Sequence, residues 1–550
     1  GVRTDLTAER LGELAPATRE LTRRARGEGA LEVELLFTAR EDLPPALRAG
    51  RARLLALLRE LRRAGTQVEV RELDPSELSE ERRAELQREG LELFALATRD
   101  DEVTRVRRVH AAVRIAARGR STLLAFPDAL AFEGLEFRLA FALWRLEQGR
   151  GARVAFASDV PRPSPAEAWE FQQQGLFSPM GSDVYALARE RLRAADFDLV
   201  HVNPRNPELP RDVDALVWLQ PRRSVERMME ALVHHLHGGG RALLAAQHFV
   251  VQSRQYRGAN FEIVYWPQPQ SPDVEVLYFP WIGVRLVREP FFDRLQGRML
   301  LDSQMKRSAE LEYRPMALAL PFVVRASAAS FEPSAVTRNL GDQLLPFAAR
   351  FELEAERLAE LDLRARTLIW SSPACWSFDW KGGWIPPELL AGPPRGEGGE
   401  PLYLGRQPLA VELEGSFPLP PERLVKPPPA LGSDGAPLEV QPEPPPYPPP
   451  DLPPAAPGRL VFLGSSELFK NHRLLEPEFR ADHLLLNAVA SLALPEELAA
   501  VAGKRAVARG FGLVEPRRRL AWRVVAVGAF PALIAGFGLV WRFARRSRGG

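Results

Sequence analysis

Short apolar runs alternate with stretches whose leucines recur at helical spacing, and this divides most of the chain into strands and helices. Leu31–Thr38 (LEVELLFT) alternates as a strand, and Arg51–Ala64 follows with leucines on one helix face. Val68–Leu73 predicts a second strand ending at Asp74-Pro75, and Ser79–Glu89 a polar helix opened by Ser-Glu-Glu. Leu91–Thr98 and Val103–Ile115 predict a β pair around the turn at Arg99–Glu102. The order strand–helix–strand–helix–strand–strand is that of a small α/β domain, thioredoxin-like in outline, expected over residues 1–130.

A second α/β unit is expected over residues 131–500. Phe132–Glu147 predicts an amphipathic helix leading into it. Strands are expected at Arg153–Ala157, Leu199–Asn203, Ala215–Leu219 and Ala242–Ala246, with helices at Val184–Ala195 and Val225–His237. Gly238-Gly239-Gly240 ends the last helix. Short apolar strands between helices imply a mostly parallel sheet covered on both faces. Thr367–Ser371, Leu409–Leu413 and Arg459–Gly464 read as later strands of the same sheet. A β-prone excursion, about 250–365, separates them from the first set. From Pro418 to Pro457, 17 of 40 residues are proline, which excludes helix and central strand and leaves an exposed loop of polyproline character.

The longest apolar run lies near the C-terminus. Val524–Trp541 holds 18 residues without a formal charge, roughly 27 Å as a helix, close to the hydrocarbon thickness of a bilayer. The expected membrane helix is 520–541, between a juxtamembrane linker (501–519) and a basic cytoplasmic tail (542–550). Trp522, Arg523, Trp541 and Arg542 fall where interfacial anchors belong. Gly528, Ala532 and Gly536, four apart, form a small-residue face suited to packing on another membrane helix. The arginine asymmetry favours a cytoplasmic C-terminus.

Composition narrows the chemistry. The chain has 73 basic and 71 acidic residues, so overall charge gives no argument for nucleic acid, and no aromatic-interleaved basic stripe supplies one. Cys375 is the only cysteine, which excludes intramolecular disulfides, multi-cysteine metal sites and Cys-x-x-Cys redox chemistry. No Walker A loop is present, since Gly503-Lys504-Arg505 lacks the upstream glycine and the hydroxyl residue. Gly464-Ser465-Ser466-Glu467 follows a strand, but Leu468 stands where a nucleophile elbow needs glycine, and a turn capped by Glu467 is the simpler reading. His234 and His237 share a helix face near His248, yet no carboxylate sits at ligand spacing, and the helix dipole alone explains histidines at a C-terminus. Glu133-Gly134-Leu135-Glu136 opens a helix, where acidic residues belong electrostatically. No catalytic, metal or cofactor site is expected.

Several segments together resemble the GldG-like family of ABC-transporter auxiliary components, associated with bacterial gliding motility. They are Asp5-Leu6-Thr7 with Leu14-Ala15-Pro16-Ala17-Thr18, Asp42-Leu43-Pro44, Asp74-Pro75, Glu133-Gly134-Leu135-Glu136 and Gly238-Gly239-Gly240-Arg241. Thr337-Arg338-Asn339-Leu340, Leu409-Ala410-Val411, Gly458–Gly464 and Leu484–Ala488 (LLLNA) continue the same order. Ser465 and Ser466 depart from an acidic turn usual in the family. The resemblance implies a flavodoxin- or glutamine-amidotransferase-like second domain without its nucleophile, and a further membrane helix before position 1. It also implies an extracytoplasmic body at the inner membrane, an ABC permease and a separate ATP-binding subunit as partners, and contact with other envelope proteins or glycan. An anchored amidotransferase- or hydrolase-like enzyme and an envelope glycan- or protein-binding module are the competing expectations.

Overall fold

The computed structural model describes residues 13–504 except 28, 65–66, 101–102, 159–168, 170–172, 174–182, 205, 222–225, 258–260, 271–278, 308–309, 423, 425–446, 450–451 and 477, and, beyond these, 522–523, 525–529 and 536. Two units result, Gly1–Val507 and Ala508–Gly550.

In the first unit, α1 (Pro16–Arg26) begins with proline at its first turn and ends among three arginines, which suits both termini. Strand β1 (Leu31–Phe37), α2 (Pro45–Arg63), β2 (Val68–Leu73) and α3 (Glu80–Arg88) follow. Leu47, Leu54, Leu58 and Leu61 form the buried stripe of α2. Then come β3 (Phe94–Asp100), β4 (Val103–Val109), β5 (Ala111–Ala117) and β6 (Arg120–Ala125). The four-stranded sheet has the order β2-β1-β5-β6, with β1 parallel to β2 and the other pairs antiparallel. Two expectations are corrected here. Val103–Ile115 is not one strand: it breaks at His110, whose amide donates to Thr38 Oγ1 at 2.8 Å. The expected pair β3–β4 is a separate ribbon, and β6 supplies the sheet's closing strand. Apolar alternation runs through His110 on both sides, so periodicity alone does not expose the break.

Helix α4 (Leu135–Gln148) is buried almost all round, as a helix between two layers must be. It starts three residues later than expected, because Gly134 adopts φ 61° and Leu130–Phe132 forms a separate 3-10 turn. Its core is continuous with both sheets, and Phe137 and Phe141 meet Phe197 at 6.5 and 5.1 Å between ring centres. Arg138, also buried, is satisfied by Asp196 at 2.9 Å and by the carbonyls of Ala131 and Ala125.

The large sheet begins with β7 (Arg153–Ser158), α5 (Ala186–Ala194), β8 (Asp198–Val202), β9 (Ala215–Leu219), α6 (Glu226–His237) and β10 (Arg241–Ala245). Helix α6 ends at Gly239 with φ 86°, and the Gly240 amide returns to His235 O at 2.8 Å, the C-cap expected of the triple glycine. An excursion follows, of hairpins and short pairs: β11 (Phe249–Arg257) with β12 (Phe261–Pro269), β13 (Val284–Leu286), β14 (Phe291–Asp293), β15 (Gln296–Arg307), β16 (Glu310–Ala326), β17 (Gln343–Pro346) and β18 (Phe351–Leu353). The chain then runs through α7 (Ala355–Glu360), β19 (Arg364–Trp370), β20 (Cys375–Ser377), α8 (Pro387–Ala391), β21 (Pro408–Ser416) and β22 (Pro457–Leu463). Three short helices close the unit: α9 (Asn471–Leu474), α10 (Ala481–Ala493) and α11 (Glu496–Ala502).

The seven-stranded sheet has the order β19-β21-β22-β10-β9-β7-β8. Strands β7, β8, β9, β10 and β22 are parallel, and β21 and β19 join antiparallel at one edge. Numbered along the chain, the five parallel strands stand as 2-1-3-4-5, with the reversal of direction at β7 and β9.

In the second unit, Val525–Ala529 forms a π-helical turn, and Trp522, Val525 and Val527 are exposed. No helix among the described residues is long and apolar enough to cross a membrane. The predicted membrane helix, 520–541, falls mostly outside the described residues, as does most of the proline-rich loop.

Candidate functional site

In an open parallel sheet the place to look is the crevice beyond the carboxyl ends of the strands, at the reversal point. Ser158 ends β7, Gln220 follows β9, Gln247 follows β10, and Ser465-Ser466-Glu467 follows β22; all are buried. Gln220, directly after β9, has φ 47°, a strained left-handed conformation for a residue with a side chain. Its Oε1 accepts from the Ser466 hydroxyl at 2.7 Å and the Gln247 amide at 3.3 Å, and its Nε2 donates to Gln247 O at 3.3 Å. Gln247 in turn accepts from the Ser466 backbone N–H at 2.6 Å and donates to Glu467 at 3.1 Å. Tyr185 donates to Ser466 Oγ at 3.1 Å, and Lys470 pairs with Glu467 at 2.5 Å. Arg189 donates to Ser158 Oγ and pairs with Asp183.

Amide and hydroxyl groups from three strand ends therefore saturate one another. Such a network holds the strand ends in register; it contains no histidine or thiolate to activate Ser466. Glu467 does not cap the turn, as the sequence suggested, but reaches across to Gln247 and Lys470. The two glutamines were missed at the sequence level, although each ends an apolar run, Leu219-Gln220 and Ala246-Gln247.

The other candidates stand apart from this crevice. His235 Nε2 donates to Arg241 O at 3.2 Å across the loop after α6, and His237 Nδ1 donates to Phe417 O at 2.8 Å, tying the helix end to the residue after β21. His248 is buried and donates from Nε2 to Leu286 O at 2.7 Å; burial pushes its pKa down to about 4, with the Arg288 charge adding and the Leu286 bond opposing. Among the described residues no three His, Cys, Asp or Glu side chains are grouped to hold a metal ion. Cys375 is fully buried, its thiol donating to Gly405 O at 2.9 Å, and burial pushes its pKa up to about 11. A thiol so held is not a nucleophile at neutral pH.

A second concentration of polar contacts lies where α1, α4, α10 and α11 meet. The Glu136 carboxylate accepts from the Ala15 amide at 2.6 Å, the Thr18 hydroxyl at 2.9 Å and Lys504 Nζ at 2.6 Å. Glu133, one turn earlier, pairs with Arg480 at 2.6 Å, and Arg480 also holds Asp482 at 2.9 Å. Burial opposes ionisation of Asp482, but the Arg480 hydrogen bond and the neighbouring positive charges prevail and hold its pKa below the usual range. Beside these groups is a cavity of about 100 Å³, lined in part by Glu133, Arg138, Arg480 and His483. Ligand pockets run from about 300 Å³ upward, so this one is a packing gap. A more open depression of about 510 Å³ is lined by Arg120, Arg145 and Arg150 at the opposite, amino-terminal end of β7, and Arg150 is there spent on Asp214 at 2.7 Å.

Of the residues predicted to face the membrane, Trp522 and Arg523 are exposed, and Gly528 and Gly536 have open space where a β-carbon would point. Ala532, Trp541 and Arg542 lie outside the described residues.

A family profile described as an ABC-type uncharacterized transport system, the ABC transport auxiliary family, matches residues 167–488, more than half of the chain. The chain belongs to this family. The matched span opens in the residues after β7 and ends within α10, so it includes Gln220, Gln247 and Ser465–Glu467 of the crevice and the large excursion, but not Ser158. No curated protein matches the sequence. Among solved structures, the exo-β-1,4-mannosidase Op5Man5 from Opitutaceae bacterium strain TAV5 aligns at a TM-score of 0.25 and 13% identity, over 87% of this chain and 55% of its own. The chain thus spans about half the length of that enzyme, and a likeness at that score bears on neither fold nor function.

Proposed function

We propose that this ABC-transport auxiliary protein is a non-catalytic, membrane-anchored subunit whose body lies on the extracytoplasmic side and works with a permease and a separate ATP-binding chain. The observation that carries the non-catalytic part is the closed network at the strand ends, where the Gln220 side chain is consumed by Ser466 and Gln247. The strand order 2-1-3-4-5 supports a flavodoxin- or amidotransferase-like body over 131–500 from which nucleophilic chemistry is missing. The order β2-β1-β5-β6 supports a thioredoxin-like unit over 1–130. The uncharged run Val524–Trp541 between arginine clusters supports the anchor, and the collinear segments support the GldG-like branch within the family.

Mass spectrometry of the complex purified in detergent from native membranes tests the reading. An ABC permease and an ATP-binding chain are expected in the same particle. Recovery of the intact protein with neither would overturn it.

A further inference from the structure

Polar side chains from distant parts of the chain meet around the end of α11 and its neighbours. They are Thr18 of α1, Glu136 of α4, Arg338 and Asn339 of the loop before β17, Asn487 of α10, and Gly503-Lys504, which follow α11 directly. Asn339 Nδ2 donates to Gly503 O at 2.8 Å, and Arg338 Nη1 to Ala500 O at 3.4 Å, so side chains satisfy carbonyls that the end of α11 leaves open. Asn487 Nδ2 holds that loop from below, donating to Arg338 O at 2.9 Å and Val336 O at 3.3 Å. Lys504, the next residue, reaches Glu136 and the Glu13 carbonyl. Gly503 has no room for a side chain, since a β-carbon there would come within 3.1 Å of three Arg338 carbons. Glu136 also holds the first turn of α1 through Ala15 and Thr18.

The chain beyond Lys504 continues toward the apolar run Val524–Trp541. We infer that the Lys504–Glu136 contact is a latch that couples the end of α11 to α1 through Glu136 on α4, so that displacement of Lys504 loosens α11 and α1 together. The inference rests on the membrane-anchored reading for what pulls on Lys504, while the latch itself rests on the contacts. Lys504 and Glu136 are mostly shielded, their side chains 13% and 12% exposed, so water screens the pair weakly. A cap that only finishes α11 would bind the carbonyls of α11. Lys504 instead binds the carboxylate that positions α1.

The test is amide hydrogen exchange on the full chain in detergent, comparing wild type with Lys504→Gln and Lys504→Arg. Lys504→Gln touches no atom of α1. The expected result is faster exchange in both 496–502 and 16–26, on the order of tenfold, with β7, β9 and β10 unchanged, and recovery toward wild type in Lys504→Arg. Faster exchange confined to 496–502 would make Lys504 a local helix end and overturn the latch, as would no change at all. Glu136→Gln should speed the same two segments, and a response only in 16–26 counts equally against the coupling. Alkaline carbonate extraction of the same variants reads the anchor separately. A chain released by carbonate that still shows the paired exchange response overturns the membrane reading and leaves the latch standing.

Discussion

His248 offers a measurement whose size follows from its surroundings. The ring sits just beyond β10, 2% exposed, with Nε2–H bound to the Leu286 carbonyl. Its folded pKa is pushed to about 4 from the ordinary 6.5, first by burial and further by the Arg288 charge. A group whose folded pKa is depressed stabilises the fold above its unfolded pKa and loses that contribution as pH falls toward the folded value. Between pH 6.5 and 4 the unfolded chain takes up a proton that the folded chain refuses, and stability declines. At about 1.36 kcal/mol per pKa unit, the loss reaches about 2.5 kcal/mol by pH 4.5. The comparison is wild type against His248→Gln, in urea titrations from pH 7.5 to 4.5. His235 and His472, both also pushed down by burial, steepen the fall in both proteins and cancel in the difference. Asp482 cancels likewise. The variant should be the less stable protein at pH 7.5, and the gap should close by about 2.5 kcal/mol on acidification. Curves that stay parallel to within about 0.5 kcal/mol would refute the buried neutral imidazole.

Gln220 and Gly464 test the crevice. At φ 47°, Gln220 carries a left-handed strain of about 1–2 kcal/mol that glycine would relieve and alanine would not. Both substitutions leave the Gln247 backbone amide without its acceptor, at about 1–3 kcal/mol, while the Ser466 hydroxyl keeps Gln247 Oε1 at 3.0 Å. Urea midpoints should therefore rank wild type, Gln220→Gly, then Gln220→Ala, and an alanine variant as stable as the glycine one would contradict the strain. Gly464 has a different reason to be glycine: a β-carbon would lie 2.1 Å from the Ala349 carbonyl oxygen and 3.1 Å from that of Leu409. Both strands are fixed by bonds from Ala349 N to Gly464 O and from Gly464 N to Leu409 O, so neither can yield. Gly464→Ala should cost about 3 kcal/mol or more, whereas Ser465→Ala, losing one bond to Pro346 O, should cost about 1. Soluble yield and thermal midpoint would separate them, and a well-folded Gly464→Ala protein would show the close approach to be dispensable.

Strands with buried faces were legible because their apolar runs are continuous: Ala215–Leu219 and Arg241–Ala245 match expectation to within a residue. Helices with a clean stripe were legible too, as in α2. What the pattern hid was set by single residues acting through long-range contacts. His110 breaks an apolar stretch by binding Thr38, and Gly134 delays α4 by taking a left-handed turn. Helices α1, α10 and α11 were not recognised: α10 is buried all round and so carries little 3.6-residue contrast, while α1 is one-sided but its buried face, Thr18, Leu21, Thr22 and Ala25, is half threonine among arginines. The candidate site was the least legible part. Spacing rules search for a nucleophile, a base or metal ligands close in sequence. Gln220, Gln247 and Ser466 are brought together by strand order across more than two hundred residues.

In an open parallel sheet the carboxyl-end crevice binds ligand because the loops there leave polar groups unsatisfied. Here the buried donors and acceptors of Gln220, Gln247 and Ser466 are consumed within the protein. A ligand entering between them would have to break bonds that it then had to replace, which costs affinity unless it offers the same pattern. The charged groups follow the opposite arrangement at the α4 junction, where Glu133 and Glu136 each bind a cation from a different end of the α10–α11 pair, Arg480 and Lys504. The Glu133–Arg480 pair can open and reclose without exposing a core, because its side chains are already 40% and 30% exposed, whereas the Glu136–Lys504 pair is mostly shielded. Of the two polar centres, the crevice is closed on itself, and the junction is the one with an ion pair already open to water.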